Sequence, residues 1–430
     1  MELKERNKVD MLNILRFAAF MCIFLLHTKI FLLMCWNEAL PLPWLTYTPA
    51  WAGVWIFFIL SGYGIGFGFS QNKYELSKKG IVKFYVRRAA KILPVYWFYI
   101  LVVAVFITPE ILQPTLRHVS YLLSLLLFHY QEEFYSLEFG LSWYLTTLMR
   151  LYLVAPFIFM VLKRYVNSRA KTYGAIGVIT AAGLAFRCLM YYHIITTSGD
   201  WSVEVYRPFY FNLDFFCVGM LLNNLREPKT DTLPRKGLKL GVVFGFALLV
   251  AFNAYLYYYG TYAHIGKYIT IYRYVLPSVY IVMTSAYIVL FDCQKDYQRV
   301  ALSANAVKKN PLRIFDCFPK IQLEMYLFHA TVLLCLQRGY SDEIYQMYIS
   351  ILGLDGIHGE WWKSCLFTVL AFFATLVLSI VVSWLFAGKP AENTVNKIEC
   401  AVNRLLKQVK NIVLTVLRTL FPVEKKKVKI

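Results

Sequence analysis

Charge is the scarcest ingredient of this sequence. Asp, Glu, Lys and Arg make up 16% of its 430 residues, where a soluble chain carries about 25%. Acids are fewest, 25 against 45 Lys and Arg. The charges that exist sit in clusters between long apolar runs, which excludes a soluble globular enzyme. A nucleic-acid binder is also excluded, despite a net charge of +20, because the basic residues border hydrophobic runs in alternate loops. The nine cysteines include no Cys-x-x-Cys pair and no metal-ligand spacing, so no metal is expected. Most fall in apolar runs, as small buried hydrophobes do. The first apolar run lacks a small-residue cleavage site and contains Arg16 and His27. It is expected to stay as a span rather than leave as a signal peptide. There is no internal repeat and no soluble catalytic domain.

Apolar sequence of membrane-crossing length is abundant, with 59% of the residues hydrophobic. A bilayer core needs roughly 20 apolar residues per helix. The runs predict spans near 14–35, 49–70, 91–108, 140–162, 173–195, 207–224, 238–259, 273–291, 321–338 and 364–387. A further run, Tyr121 to Phe128, is too short to span and precedes the acidic Glu132, Glu133 and Glu138. It is expected to stay outside as a short re-entrant or interfacial helix. With that choice the inside segments hold 35 Lys and Arg and the outside loops 6. The positive-inside rule then gives a multi-pass plasma-membrane protein with both ends in the cytoplasm. The expected fold is an all-α integral membrane bundle of about ten transmembrane helices over residues 1–388, followed by a basic tail over 389–430. In the tail Val402, Leu406, Val409, Val413, Val416 and Leu420 form one stripe, and Lys425, Lys426, Lys427 and Lys429 close the chain. That pattern predicts an amphipathic helix on the anionic inner-leaflet lipids. A coiled-coil partner surface, and with it a homo-oligomer, is the alternative.

Charged groups in hydrocarbon are costly, and each is a functional candidate by default. Arg16 and His27 are eleven positions apart, close to three helical turns, so they share one face roughly 16 Å apart along the axis. A cation near a membrane mouth can hold a phosphate or carboxylate. A neutral imidazole deep inside can take a proton from a hydroxyl. A packing histidine explains His27 about as well. In Leu60-Ser61-Gly62-Tyr63-Gly64, the glycines with Gly66 and Gly68 form two small-xxx-small pairs. Close helix packing accounts for the glycines better than for Ser61 and Tyr63. Arg87, Arg88 and Lys91 cluster where the third span is expected to start. Three cations there suit the phosphates of a nucleotide-like ligand, although ordinary inside anchoring would also produce them. Arg150, Arg187, Asp214, Glu324 and His329 lie within apolar runs, and at least one buried ion pair is expected among them. Trp143, Tyr144, Trp201 and Tyr206 are placed to stack on sugar rings, while most other aromatics fall near span ends as belts do.

Three motifs in order carry a resemblance. Asn13-Ile14-Leu15-Arg16, ten residues and His27 come first. Ser61-Gly62-Tyr63 follows in the second span, and then Arg88 to Pro94 ending in Ile-Leu-Pro. The set resembles the acyltransferase-3 family of integral membrane acyltransferases. Looser blocks extend the likeness from about residue 8 to 387: Trp143-Tyr144-Leu145 with Tyr152 and Pro156, Phe215 to Gly219, and Tyr326 to His329. The resemblance implies an O-acyltransferase that moves an acyl group, usually acetyl, from acetyl-coenzyme A to a hydroxyl of a surface polysaccharide or its lipid-linked precursor. By analogy His27 is the catalytic histidine, as general base or as transient acyl carrier. Arg16, Ser61, Arg87, Arg88 and Lys91 then lie beside the coenzyme. Tyr63, Trp143, Arg150 and His329 are assigned to the acceptor. Lys91 replaces the second arginine of the family's Arg-x-x-Arg, keeping charge but losing bidentate geometry. Leu148 stands where many members have a glutamate. The competing readings are a polysaccharide or lipid-linked-sugar transporter, which requires none of these motifs, and a sensor that has lost transfer.

Overall fold

The computed structural model describes residues 10–35, 49–127, 139–226, 236–262, 264–291, 307–308, 310–340 and 361–386, with positions 404 and 408. The amphipathic tail and the acidic stretch at Glu132, Glu133 and Glu138 lie outside the described residues. Every described element is helical: α1 Met11–Cys35, α2 Ala50–Ser70, α3 Lys78–Ile107, α4 Leu116–Leu126, α5 Ser142–Tyr165, α6 Arg169–Thr197, α7 Leu213–Leu221, α8 Lys236–Tyr262, α9 Gly266–Phe291, α10 Phe318–Tyr340 and α11 Trp361–Phe386. Among these, α2, α3, α5, α6, α8, α9 and α11 contain seven stretches long and apolar enough to cross a membrane. Two more of the expected spans fall on α1 and α10, of 25 and 23 residues. The outward faces of α6, α8 and α11 present Val178, Leu189, Phe244 and Val377, an apolar exterior that suits lipid rather than water.

Three expectations are refined by the chain's own signals. The apolar stretch 207–224 is not one helix. It runs as a tight turn Phe209–Asn212, the short α7, and a second turn Leu222–Leu225. Asn212 and Asn223, both buried, donate to the local carbonyls of Pro208 and Met220, the kind of side-chain competition that interrupts helices. Second, α3 starts well before its apolar window, because the Ser77 hydroxyl caps it by accepting from the Gly80 amide. Arg87, Arg88 and Lys91 therefore sit inside α3, not beside a helix start, and cannot draw on its N-terminal dipole. Third, the short run at Tyr121 is α4, eleven residues, with Tyr121 and Leu125 turned inward. Tyr96 and Trp97 of α3 donate to the carbonyls of Leu125 and Leu126. At eleven residues it is too short to cross a bilayer, and it packs against α3.

The core forms around α2, which contacts α1, α5, α7 and α9. Its glycines make that possible. A Cβ at Gly53 would overlap the Ala19 carbonyl of α1, and one at Gly62 would overlap the Phe216 carbonyl of α7. Gly219 of α7 meets the Ile59 carbonyl in the same way. Backbone therefore touches backbone at the α2–α7 crossing, the usual way small residues join membrane helices. Gly64 differs: a Cβ there would meet nothing within 4 Å. The expected buried ion pair also holds α7. Arg187 of α6 donates to Asp214 at 2.5 Å and to the Phe211 carbonyl at 3.3 Å, with its guanidinium over the Phe215 ring.

Candidate active site

A cavity of about 550 Å³ opens between α1, α2, α3, α5, α10 and α11. Its wall carries Arg16, Arg87, Arg88, Lys91 and Lys320, against one carboxyl group, Glu324. Glu324 is buried and lies within electrostatic reach of Lys91. Gly64 forms the wall on α2, and its missing side chain leaves that side open.

Arg88 is fixed by aromatic groups. It donates to the Tyr74 hydroxyl at 2.7 Å, and its guanidinium carbon lies 5.6 Å from the Tyr74 ring centre. The rings of Phe84 and Tyr152 are each 5.7 Å away. Three rings around a delocalised cation hold it in one orientation. Deeper in, the hydroxyls of Tyr144 and Tyr152 converge on Ser61. At the other wall, Asn13 Oδ1 accepts from Arg16 at 2.8 Å. The Asn13 amide in turn donates to Asp316 Oδ1 at 2.9 Å, and Arg313 donates to Asp316 Oδ2 at 3.1 Å. Asp316 lies in the turn Pro311–Cys317 that leads into α10. It also accepts from the backbone amide of Asp10, the residue that caps α1.

Along α10 the cavity wall ends at Tyr326, and His329 lies one turn further on. His27 is three turns beyond Arg16 on α1. The two imidazoles meet: His27 Nδ1 is 2.7 Å from His329 Nε2. The ring planes are 4° apart with centres 5.0 Å apart. A nitrogen–nitrogen contact that short with centres that far apart puts the rings edge to edge in a common plane. His329 is fully buried, with Phe20 and Phe24 of α1 against its ring. Tyr326 packs on Tyr144 at 4.8 Å and lies 6.0 Å from His329, so these two lining tyrosines mark the end of the cavity nearest the imidazole pair.

The family model of the acyltransferase domain matches residues 9–387 of the chain. The chain belongs to the acyltransferase-3 family. It is a membrane acyltransferase, and an acyl donor is its co-substrate. No curated protein and no solved structure matches it.

Against the acyltransferase-3 motifs, the structure brings Arg16, Ser61, Arg87, Arg88 and Lys91 to one cavity and joins His27 to His329 beyond its end. Tyr63 is buried against α7 rather than lining the cavity, and its carbonyl accepts from Asn223. Trp143 packs on Tyr206, which stacks with Trp201 and meets Trp51. That aromatic cluster lies toward the His27 end of α1, since Trp51 is in the first turn of α2 beside Gly53, which packs on Ala19 and Ile23, whereas Ser61 further along α2 shares the cavity with Arg16. Arg150 lies on α5 away from the cavity wall. Tyr74 and Lys320 of this site escaped sequence reasoning, while Glu324 and Tyr152 are named by it without being brought to this cavity. An acid inside an apolar run was the one available signal for Glu324. Tyr74 reads as an interface aromatic, and Lys320 as an inside anchor. Among the described residues no group of acids, histidines and cysteines is arranged to hold a metal ion.

Proposed function

We propose that this acyltransferase takes acetyl from acetyl-coenzyme A on the cytoplasmic side of the plasma membrane. It passes the acetyl to a hydroxyl of a surface polysaccharide or its lipid-linked precursor. The observation that supports this reading is the division of α1. Its Arg16 end belongs to a cavity with five cations and one acid. Its His27 end belongs to an imidazole pair, roughly 16 Å further along the helix. A coenzyme with phosphates at one end and a thioester at the far end of a long arm matches that spacing. Arg16, Arg87, Arg88 and Lys91 hold phosphate oxygens, and Lys320 adds charge at the rim. The open wall at Gly64 admits the arm past Ser61.

The chemistry then needs one base. The acceptor oxygen attacks the thioester carbonyl carbon while its proton passes to His27. The carbon–sulfur bond breaks, and the leaving thiolate takes the proton back from the imidazolium. The products are an ester and the free thiol, and His27 is again neutral. General base catalysis of this kind contributes about 10²–10⁴-fold. The aromatic cluster of Trp51, Trp143, Trp201 and Tyr206 lies on the side from which a sugar acceptor would approach. The basic tail, on this reading, rests on anionic inner-leaflet lipids.

The test is transfer of label from acetyl-coenzyme A in membrane vesicles, with total cell-surface carbohydrate as the acceptor pool. Wild type should label carbohydrate, and His27→Ala should not, while Arg88→Ala should weaken donor binding. Full transfer by His27→Ala would overturn the mechanism. Wild-type vesicles that neither bind the donor nor transfer label would overturn the choice of donor.

A further inference from the structure

A histidine base is useful only if the nitrogen facing the substrate lacks a hydrogen, and the structure contains the information that fixes this. His329 Nδ1 is 2.7 Å from the Tyr326 carbonyl oxygen and 3.2 Å from that of Met325. Carbonyl oxygen only accepts, so this nitrogen carries the hydrogen. A neutral imidazole has one N–H, which leaves His329 Nε2 with a bare lone pair. That lone pair is 2.7 Å from His27 Nδ1, so His27 donates. His27 has then used its own single hydrogen, and its Nε2 is the bare nitrogen.

We propose that His329 is a positioning residue for the transfer reaction. It holds His27 in the Nδ1–H tautomer and fixes the ring plane, so that His27 Nε2 faces the acceptor hydroxyl. The inference rests on the reading of His27 as the base. Its logic is that of a catalytic triad with a neutral imidazole in place of the carboxylate. When His27 Nε2 takes the proton, the ring becomes cationic, and its bond to His329 becomes a stronger, charge-assisted one. The order of donation runs one way from His27 through His329 to a main-chain carbonyl of α10, which cannot donate back. Orientation is fixed as well as tautomer. His329 is fully buried, and the rings of Phe20 and Phe24 stand 5.8 and 6.2 Å from its centre. Both belong to α1, the helix that carries His27. A rotation of His329 would have to move the helix it serves.

The test uses the full chain in membrane vesicles, labelled acetyl-coenzyme A and total cell-surface carbohydrate. His329→Gln keeps an acceptor oxygen where Nε2 stood. His329→Leu and His329→Met have similar bulk and no acceptor of comparable strength, and using two guards against a folding defect specific to one. The acceptor-free variants should lose on the order of 100-fold in maximal transfer rate, with the KM for donor changed by no more than about twofold. His329→Gln should regain at least about tenfold of that loss, which packing alone would not restore. Wild-type transfer by His329→Leu would overturn the proposal. So would a His329→Gln protein that binds donor normally yet is as inactive as the leucine variant, since the ring itself would then be needed. Either result with His27→Ala inactive leaves the base assignment standing. Full transfer by His27→Ala sinks that assignment instead, so the two failures are distinguishable.

Discussion

Arg88→Lys keeps the charge at the cavity wall and removes what holds it in place. Arg88 has a 2.7 Å bond to the Tyr74 hydroxyl and three rings within 5.7 Å. A lysine ammonium cannot face three rings with a planar cation. It brings about 2 kcal/mol of side-chain entropy that must be lost when a phosphate is bound. It also gives up the second of two parallel bonds to a phosphate, worth roughly 1.5–3 kcal/mol if fully formed. Some of this returns through the greater reach of lysine, so a net loss of about 1.4–2.8 kcal/mol is expected. That is roughly 10- to 100-fold in donor affinity. Tyr74→Phe is the finer cut, because it removes the hydroxyl and leaves the ring. It should cost about 1 kcal/mol, roughly fivefold. Both are read as the KM for acetyl-coenzyme A in labelled-transfer assays, with maximal rate within about threefold of wild type. A KM for Arg88→Lys within about twofold of wild type would refute the caged-arginine argument. So would a Tyr74→Phe enzyme more impaired than Arg88→Lys.

The glycines of α2 give a matched pair of outcomes. Gly64→Leu should leave the melting temperature of the detergent-purified protein unchanged and cut transfer by about 100-fold, because its side chain has open space only in the cavity. Gly62→Leu should do the reverse to stability, lowering the melting temperature by several degrees, because its Cβ overlaps the Phe216 carbonyl. Equal melting temperatures for the two variants would contradict the assignment of faces. For the buried pair, Arg187→Met alone should destabilise by roughly 3 kcal/mol, since Asp214 loses its cation. Arg187→Met with Asp214→Leu should recover most of that. A double variant no better than the single would show that Arg187 acts through the Phe211 carbonyl and the Phe215 ring.

Much of this was legible because a bilayer leaves so few options. Apolar length announced the helices, and the eleven-residue interval put Arg16 and His27 on the side of α1 that α10 meets. What stayed hidden was set by contacts distant in sequence. His27 and His329 are 302 positions apart, and nothing local to either says that their nitrogens meet. Tyr152 is marked in sequence by a loose block of the resemblance, but only the crossing of α3 and α5 brings it to Arg88. The start of α3 was missed for a different reason. Hydropathy detects where a helix enters hydrocarbon, whereas Ser77 decides where the helix begins. Likewise 207–224 is apolar enough to read as a span, but Asn212 and Asn223 spend their amides on the nearby carbonyls of Pro208 and Met220 where it breaks into turns.

The two ends of α1 are held by the same part of the chain. At one end Arg16 is tied through Asn13 to Asp316, in the turn that opens α10. At the other, His27 is tied through His329 to the Tyr326 carbonyl, in the body of α10. Between them Phe17 and Phe20 of α1 pack on Phe318, the first residue of α10. Arg16 and His27 are thus fixed to one two-helix unit, so the distance between them is set by helix rise and not by loops. The caged Arg88 and the open Gly64 belong to α3 and α2, on the opposite wall. On the proposed function, changes on that wall would adjust the cavity to a different acyl donor. The His27–His329 pair on α1 and α10 can then remain as it is while α2, α3 and α5 vary in what they admit.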